Sequence, residues 1–409
     1  MTEITNTPDL RFPEFNDKWQ RINLSNIVTK IKGNDNQIDL PILTISAKYG
    51  WLTQKERFSQ VIAGNSLKRY TKVSRGDVSY NKGNSKIAKY GIVYKMNYDE
   101  ALVPNVYKSF RPHKGINSSF IEKYFHTKKL DRQLRKYISS TARMDGLLNI
   151  SDNDFYKVNI YIPNSFEQEK IGDFFSKLDR QIELEEQKLA KLEEQKKGYM
   201  QKIFSQELRF KDKNGKQYPE SKEYKLSEVG KFNSGIGFPE DLQGGTEGVP
   251  FFKVSDMNNK GNEMVMQKSN NYVSDEVIDS KKWKVITAVP SMIFAKVGAA
   301  IMLNRKRLVL EPFLIDNNTM SYSFSNNWDT SFGRVLFQTI YLPKYAQVGA
   351  LPSYNAKDIG TIKVKLPTKQ EQEKIGTFFN KIDNLIELQA NKVDLLKQRK
   401  QGLLQKMFV

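Results

Sequence analysis

The chain runs to 409 residues without a single cysteine. That excludes a disulfide framework, a thiolate metal site and a cysteine nucleophile. Histidine is nearly as scarce: His113 and His126 are the only two, and neither has other ligands at metal-binding spacing, so both read as surface or core residues. Long apolar runs are missing as well. The stretch 297–303 falls far short of the ~20 residues needed to cross a bilayer. Nothing at the N-terminus resembles a signal peptide, and the expected location is the cytoplasm. No glycine-rich phosphate loop ends in Lys-Ser/Thr, and Gly235-Ile236-Gly237 lacks the third glycine of a dinucleotide fingerprint. Nor is there an Asn-Pro-Pro-aromatic tetrapeptide of the kind that amino-methyltransferases set against a flipped base. With these motifs missing, the chain is expected to carry no chemistry of its own.

What it does have is a long internal repeat. Residues 163–204 align without a gap to residues 367–408, and 21 of the 42 positions are identical. A period near half the chain indicates a duplicated two-part unit, since solenoid repeats are roughly 20–50 residues long. Each copy begins with strand-like alternation closed by a proline (Val158, Ile160, Ile162; then Ile362, Val364, Leu366). Each continues as one long helix whose apolar residues recur in alternating steps of four and three.

That heptad seam predicts a coiled coil. Its members are Leu178, Ile182, Leu189 and Leu192 in the first copy and Ile382, Ile386, Val393 and Leu396 in the second, with Tyr199 near the first helix's end. Polar residues interrupt it at matching places: Glu185 and Gln389, then Lys196 and Lys400. A parallel pair would set Lys196 against Lys400, like charges in a buried seam. The antiparallel arrangement is therefore expected, with pseudo-twofold symmetry, Glu185 facing Lys400 and Lys196 facing Gln389. Packing of each seam on its own globular domain is the alternative that spacing alone leaves open.

The repeat extends outward from the helices. Leu10-Arg11-Phe12 returns as Leu208-Arg209-Phe210, Leu24-Ser25-Asn26-Ile27 as Leu226-Ser227-Glu228-Val229, and Asp154 as Asp358. Gly76-Asp77-Val78-Ser79-Tyr80 aligns with Ser291-Met292-Ile293-Phe294-Ala295. The fold class is accordingly α/β (α+β): globular segments 1–162 and 211–366, each followed by a helical spacer, 163–210 and 367–409. Between the framework pieces the loops diverge, as expected if each module reads a different target. The formal charge is +19; the helices are close to neutral, so the basic excess sits on the globular segments and points to a polyanion, most often nucleic acid. The loop residues suited to phosphates and base edges are Ser46, Lys48, Tyr49, Lys82, Asn84, Ser85, Lys86 and Arg143 in the first segment. In the second they are Lys253, Asp256, Lys296, Asn304, Arg305, Arg307 and Gln347.

Taken together, the pattern resembles one known family, the specificity (S) subunit of type I restriction-modification systems. The resemblance spans essentially the whole chain and is carried by the duplicated Pro…Glu-Gln-Glu-Lys-Ile-Gly…Phe-Phe…Leu/Ile-Asp segments, 163–179 and 367–383. Leu147-Leu148-Asn149-Ile150-Ser151 supports it, as does the strand-loop Ala295-Lys296-Val297-Gly298. It implies two target-recognition domains, each binding half of a bipartite site on double-stranded DNA, with the helices as spacer. It also implies docking of two methyltransferase (M) subunits, and of two restriction (R) subunits through them. S-adenosylmethionine, ATP and Mg would belong to those partners, with no cofactor on this chain. Base-reading residues vary within the family, so none is carried over. A self-contained DNA-modifying enzyme and a basic coiled-coil scaffold are the competing readings.

Overall fold

The computed structural model describes residues 6–58, 64–83, 87–138, 148–347 and 351–409. It divides into two compact units, residues 1–187 with 390–409, and residues 188–389. Each unit thus holds one globular domain, the first part of the helix that follows it, and the last part of the other long helix. The units cut across the consecutive segments of the chain because each helix shares its packing between two domains.

Both domains are built on the same four-stranded antiparallel sheet. In the first, the order is Val28–Ile31, Lys108–Pro112, Val78–Asn81, Ile92–Lys95. In the second it is Gly230–Ser234, Thr319–Phe324, Ser291–Ala295, Lys306–Val309. The strand expected before each helix is present and pairs with the start of its own domain: Asn159–Ile162 with Gln20–Asn23, and Lys363–Leu366 with Lys222–Lys225. The sheet register corrects one alignment. Val78 lies opposite Phe110 and Met292 opposite Tyr322, so Val78 matches Met292 and Tyr80 matches Phe294, one residue away from the alignment of the text. A one-residue slip turns every side chain to the other face. Val78–Tyr80 and Ser291–Ala295 are buried on both faces, so burial does not tell the two alignments apart and the strand pairing alone decides.

The two long helices are Ser165–Phe204 and Lys369–Lys406, each about 60 Å at ~1.5 Å per residue. Within the first unit Asp179 pairs with Lys400 (2.5 Å), Glu185 with Lys392 (2.5 Å) and Glu186 with Lys397 (2.7 Å). From Asp179 to Glu185 and Glu186 the partners move back from Lys400 to Lys392 and Lys397, so the helices run antiparallel, as expected. In the second unit Lys196 pairs with Asp383 at 2.7 Å. Asp179 and Asp383 hold the same place in the repeat, as do Lys400 and Lys196, so one contact is made twice.

The register differs from the expected one. Lys400 meets Asp179, six residues before Glu185, and Lys196 takes Asp383 as its ion-pair partner where Gln389 had been placed. A heptad pattern repeats under slips of about seven residues, so it cannot choose among them. The domains choose, because both helix ends are anchored in cores. Leu404, Met407 and Phe408 are buried in the first core, Phe408 among Trp19, Phe120 and Phe175; Ile203 is buried in the second, with Phe204 against Phe332.

The seam residues themselves face inward. Leu178, Ile182, Gln389 and Val393 are buried, and Leu189, Leu192, Ile382, Ile386 and Leu396 half-buried. Tyr199 is the exception, exposed and edge-on to Phe378. Near its end the helix leaves the coiled-coil seam and turns Met200 and Ile203 to the domain instead.

Candidate nucleic-acid interface

The repeated motif is accounted for by how it clamps each domain to its helix. Arg11 donates Nε and Nη2, both at 2.7 Å, to the carboxylate of Glu167, and Arg209 does the same to Glu371 at 3.3 and 2.7 Å. Both carboxylates are essentially out of solvent. This is why Leu-Arg-Phe occurs twice. One position on, Gln168 accepts the N–H of Asn117 and donates to the carbonyl of Pro163. Gln372 accepts the N–H of Asp329 and donates to Pro367. Asn117 and Asp329 are the N-caps of Ser118–His126 and Thr330–Thr339. Gly172 and Gly376 let those helix starts approach: a Cβ there would lie 2.7 Å from the Asn117 or Asp329 side-chain oxygen. The motif is mechanical: its polar groups are spent on joining helix to domain.

A buried ionic cluster completes the clamp of the first domain. Lys123 pairs with Asp179 at 2.7 Å and with Glu122, and Glu122 also accepts the N–H of Lys95. His126 beside them is half-buried, with Nε2 2.7 Å from the carbonyl of Val93. Burial, reinforced by Lys123 and Lys400 and opposed by Glu122, pushes its imidazole down to about 4. An unfolded histidine titrates near 6.5, so between those values the unfolded chain binds the extra proton. Stability is therefore lost as pH falls from about 6.5 towards 4, by ~3 kcal/mol in all, and is unaffected above that window. Urea unfolding of the wild type and His126→Gln across this range checks it: the difference between them should shrink as pH falls, and a constant difference would refute it.

In the first domain the hairpin Leu43–Ser46 and Gly50–Thr53 carries Ser46, Lys48 and Tyr49 at its tip. Ser46 Oγ accepts the N–H groups of Lys48 and Tyr49, both at 3.3 Å, so it builds the turn. Lys48 and Tyr49 are what the tip presents: Tyr49 is 65% exposed, with the ammonium of Lys48 4.8 Å over its ring. Lys82 directly follows the strand Val78–Asn81, and its carbonyl accepts the N–H of Leu148. Asn84, Ser85, Lys86 and Arg143 lie outside the described residues.

The second domain uses several of its candidates internally. Asp256 is completely buried and accepts the N–H groups of Lys253 (2.8 Å) and Asn270 (3.3 Å), with burial raising its carboxyl above the usual range. It ties its own loop together and is not presented to a ligand, which corrects its assignment as a contact residue. Asn304 is likewise spent: Oδ1 accepts from Leu342 and Lys306, and Nδ2 donates to Ile340. Lys306, next to it, is buried, and desolvation pushes its amine down to about 7.

Lys253 donates to Gln243 at 3.0 Å, and Arg305 to Asn258. Arg307 is half-buried, and among the described residues its Nε has no partner. Lys296 sits at the end of its strand, half-buried, and Gln347 is exposed. Arg305, Arg307, Lys296 and Gln347 remain the candidates of this domain.

Sequence reasoning missed Lys30, Lys32, Arg69 and Lys108, which line one cleft together with Lys82. The alternation Lys30-Ile31-Lys32 was a visible signal. Lys108 gave none, because only the sheet register brings it there. Among the described residues no group of histidines and carboxylates is placed to hold a metal ion, and no helix is long and apolar enough to cross a membrane.

Comparison with known proteins agrees with this architecture. A family described as the type I restriction modification DNA specificity domain matches the chain twice, over residues 16–194 and 219–398. The type I restriction enzyme MjaVIII specificity subunit of Methanocaldococcus jannaschii is 21% identical over 420 residues, covering 97% of this chain and 92% of the relative. Among solved structures, the S subunit of a type I restriction-modification system from M. genitalium superposes with a TM-score of 0.59 at 15% identity, covering 98% of this chain and 99% of that one. A chain solved in work on complex assembly and conformational transition of the type I R-M system gives 0.56 at 15% identity, covering 95% and 97%. At these identities the structural likeness is one of fold.

Proposed function

Because the chain belongs to the type I restriction-modification DNA specificity family, we propose that it is the sequence-reading, non-catalytic subunit of such a system. Each domain reads one half of a bipartite site in double-stranded DNA, and the paired helices set the gap between the halves. The observation that carries this is a framework written twice around dissimilar loops. The Arg–Glu clamp, the glutamine on the helix cap and the Asp–Lys pair recur in both units, whereas the presented side chains do not. Two binding modules on one scaffold suit a target in two parts.

The same duplication supports two methyltransferase subunits as partners, with restriction subunits joining through them. Leu184 and Leu388 occupy matching positions of the repeat and are 48% and 67% exposed on their helices. Exposed leucines at equivalent places fit the same partner bound twice. S-adenosylmethionine, ATP and Mg would be held by those partners.

The test is to express the chain with the methyltransferase subunit encoded beside it and map modified adenines by single-molecule sequencing. A two-part motif with a fixed gap is the expected result; a stable complex that adds no methylation would overturn the reading. Inserting about four residues, one helical turn of ~5.4 Å, near both Glu194 and the matching Gln398 should change the gap by about one or two base pairs at ~3.4 Å each. The half-site sequences should stay the same.

A further inference from the structure

The end of the first domain's sheet is electropositive in a way that the fold does not require. There, Val28–Ile31 and Val78–Asn81 end and Lys108–Pro112 begins, and a cleft of about 370 Å³ opens. Among the described residues Lys30, Lys32, Arg69, Lys82 and Lys108 line it, against the single carboxylate of Asp152. That carboxylate is already engaged, 2.5 Å from Lys108 Nζ and 3.6 Å from Lys32 Nζ. Lys30 lies 4.6 Å over the ring of Tyr156, which fixes its ammonium at the rim. Lys108 is only 8% exposed, so its charge is held in place by the sheet.

The second domain shows what the sheet needs. By strand register Lys30 matches Phe232, Lys32 matches Ser234 and Lys108 matches Met320; at the start of the short helix that follows, Asp152 matches Ala356. Of the four lysines only Lys82 keeps a cation, in Lys296. The same topology therefore forms with uncharged residues at these places. Like charges gathered in one cleft repel one another, so a cluster that the fold can do without is explained by an anion that occupies it.

We propose that this cleft seats a backbone phosphate of the duplex bound by the first domain, a seat that the second domain does not share. The proposal rests on the reading of the chain as a DNA-binding subunit. Ammonium groups are point charges that hold phosphates without reading bases, so the seat adds affinity and register and leaves recognition to the neighbouring loops.

The test uses the full chain and two labelled duplexes, one carrying the methylation-mapped site and one of scrambled sequence, titrated over a range of KCl. Lys30→Ala/Lys32→Ala should weaken both duplexes by the same factor and reduce the log–log salt slope by about 1–2, since each phosphate contact contributes about 0.9. Val106→Lys adds a charge at an exposed lining position and should tighten both. Lys128→Ala/Lys129→Ala, exposed lysines away from the lining, should leave the slope unchanged.

A double variant that keeps the wild-type slope, while the wild type binds its site normally, overturns the seat and leaves the DNA reading intact. A wild type with no salt-dependent duplex binding overturns both. If inorganic phosphate at constant ionic strength raises the wild-type melting temperature, yet the double variant binds duplex like the wild type, the cleft is a free-anion site and the proposal fails.

Discussion

Arg209→Ala is expected to destabilise the second unit by about 3–5 kcal/mol, the cost of leaving a buried charge without its partner. Glu371 is 1% exposed, and Arg209 holds it with two side-chain hydrogen bonds while a third reaches the carbonyl of Pro219. Without the guanidinium, the carboxylate remains as a buried group with no counter-ion. Arg209→Ala/Glu371→Gln, which removes that charge, should therefore recover part of the loss. Urea unfolding of the full chain measures both effects. Arg11→Ala probes the same clamp in the first unit, where Glu167 is 0% exposed. A loss below about 1 kcal/mol at either site would place the clamp among ordinary surface pairs.

Asp383→Ala should cost more than Asp179→Ala, although the two aspartates occupy the same place in the repeat. Asp383 is the carboxylate for two cations, Arg334 at 2.6 Å and Lys196 at 2.7 Å. Arg334 is buried, and its other polar contacts are the Asn380 side-chain oxygen and the sulfur of Met264. Removing Asp383 leaves a guanidinium without a counter-ion, again about 3–5 kcal/mol. Asp179 also serves two cations, Lys123 and Lys400, but Lys123 keeps Glu122 when Asp179 is lost. The expected loss there is roughly half, because one of the two charges stays paired. Equal losses in the two variants, measured by the same unfolding series, would show that Glu122 does not compensate.

This pair of aspartates also shows how far the text of the chain could be read. Their repetition was visible, together with Lys196 and Lys400, but their partnership was not. The lysines that interrupt the heptad pattern favoured an antiparallel pair, and the pattern was silent on which of several equivalent slips it adopts. The candidate interface divides in the same way. Tyr49 and Lys48 stand out at the hairpin tip, where an aromatic and a cation in a turn could be seen in advance. Asp256 and Asn304 looked equally suitable in the sequence, yet their polar atoms are spent on partners that, Lys253 apart, lie close only after folding.

The duplication, the long helices and the domain before each were legible in the residues alone, because periodicity and repetition are local properties, and the polar interruptions of the seam favoured an antiparallel pair. Folding settled that the helices do pair, their register, the one-residue alignment of the sheets and the gathering of Lys30, Lys32, Arg69, Lys82 and Lys108 at one cleft. Those features depend on which distant strands pair and on where the helix ends find a core. Such contacts join residues far apart in the chain, and no local pattern encodes them.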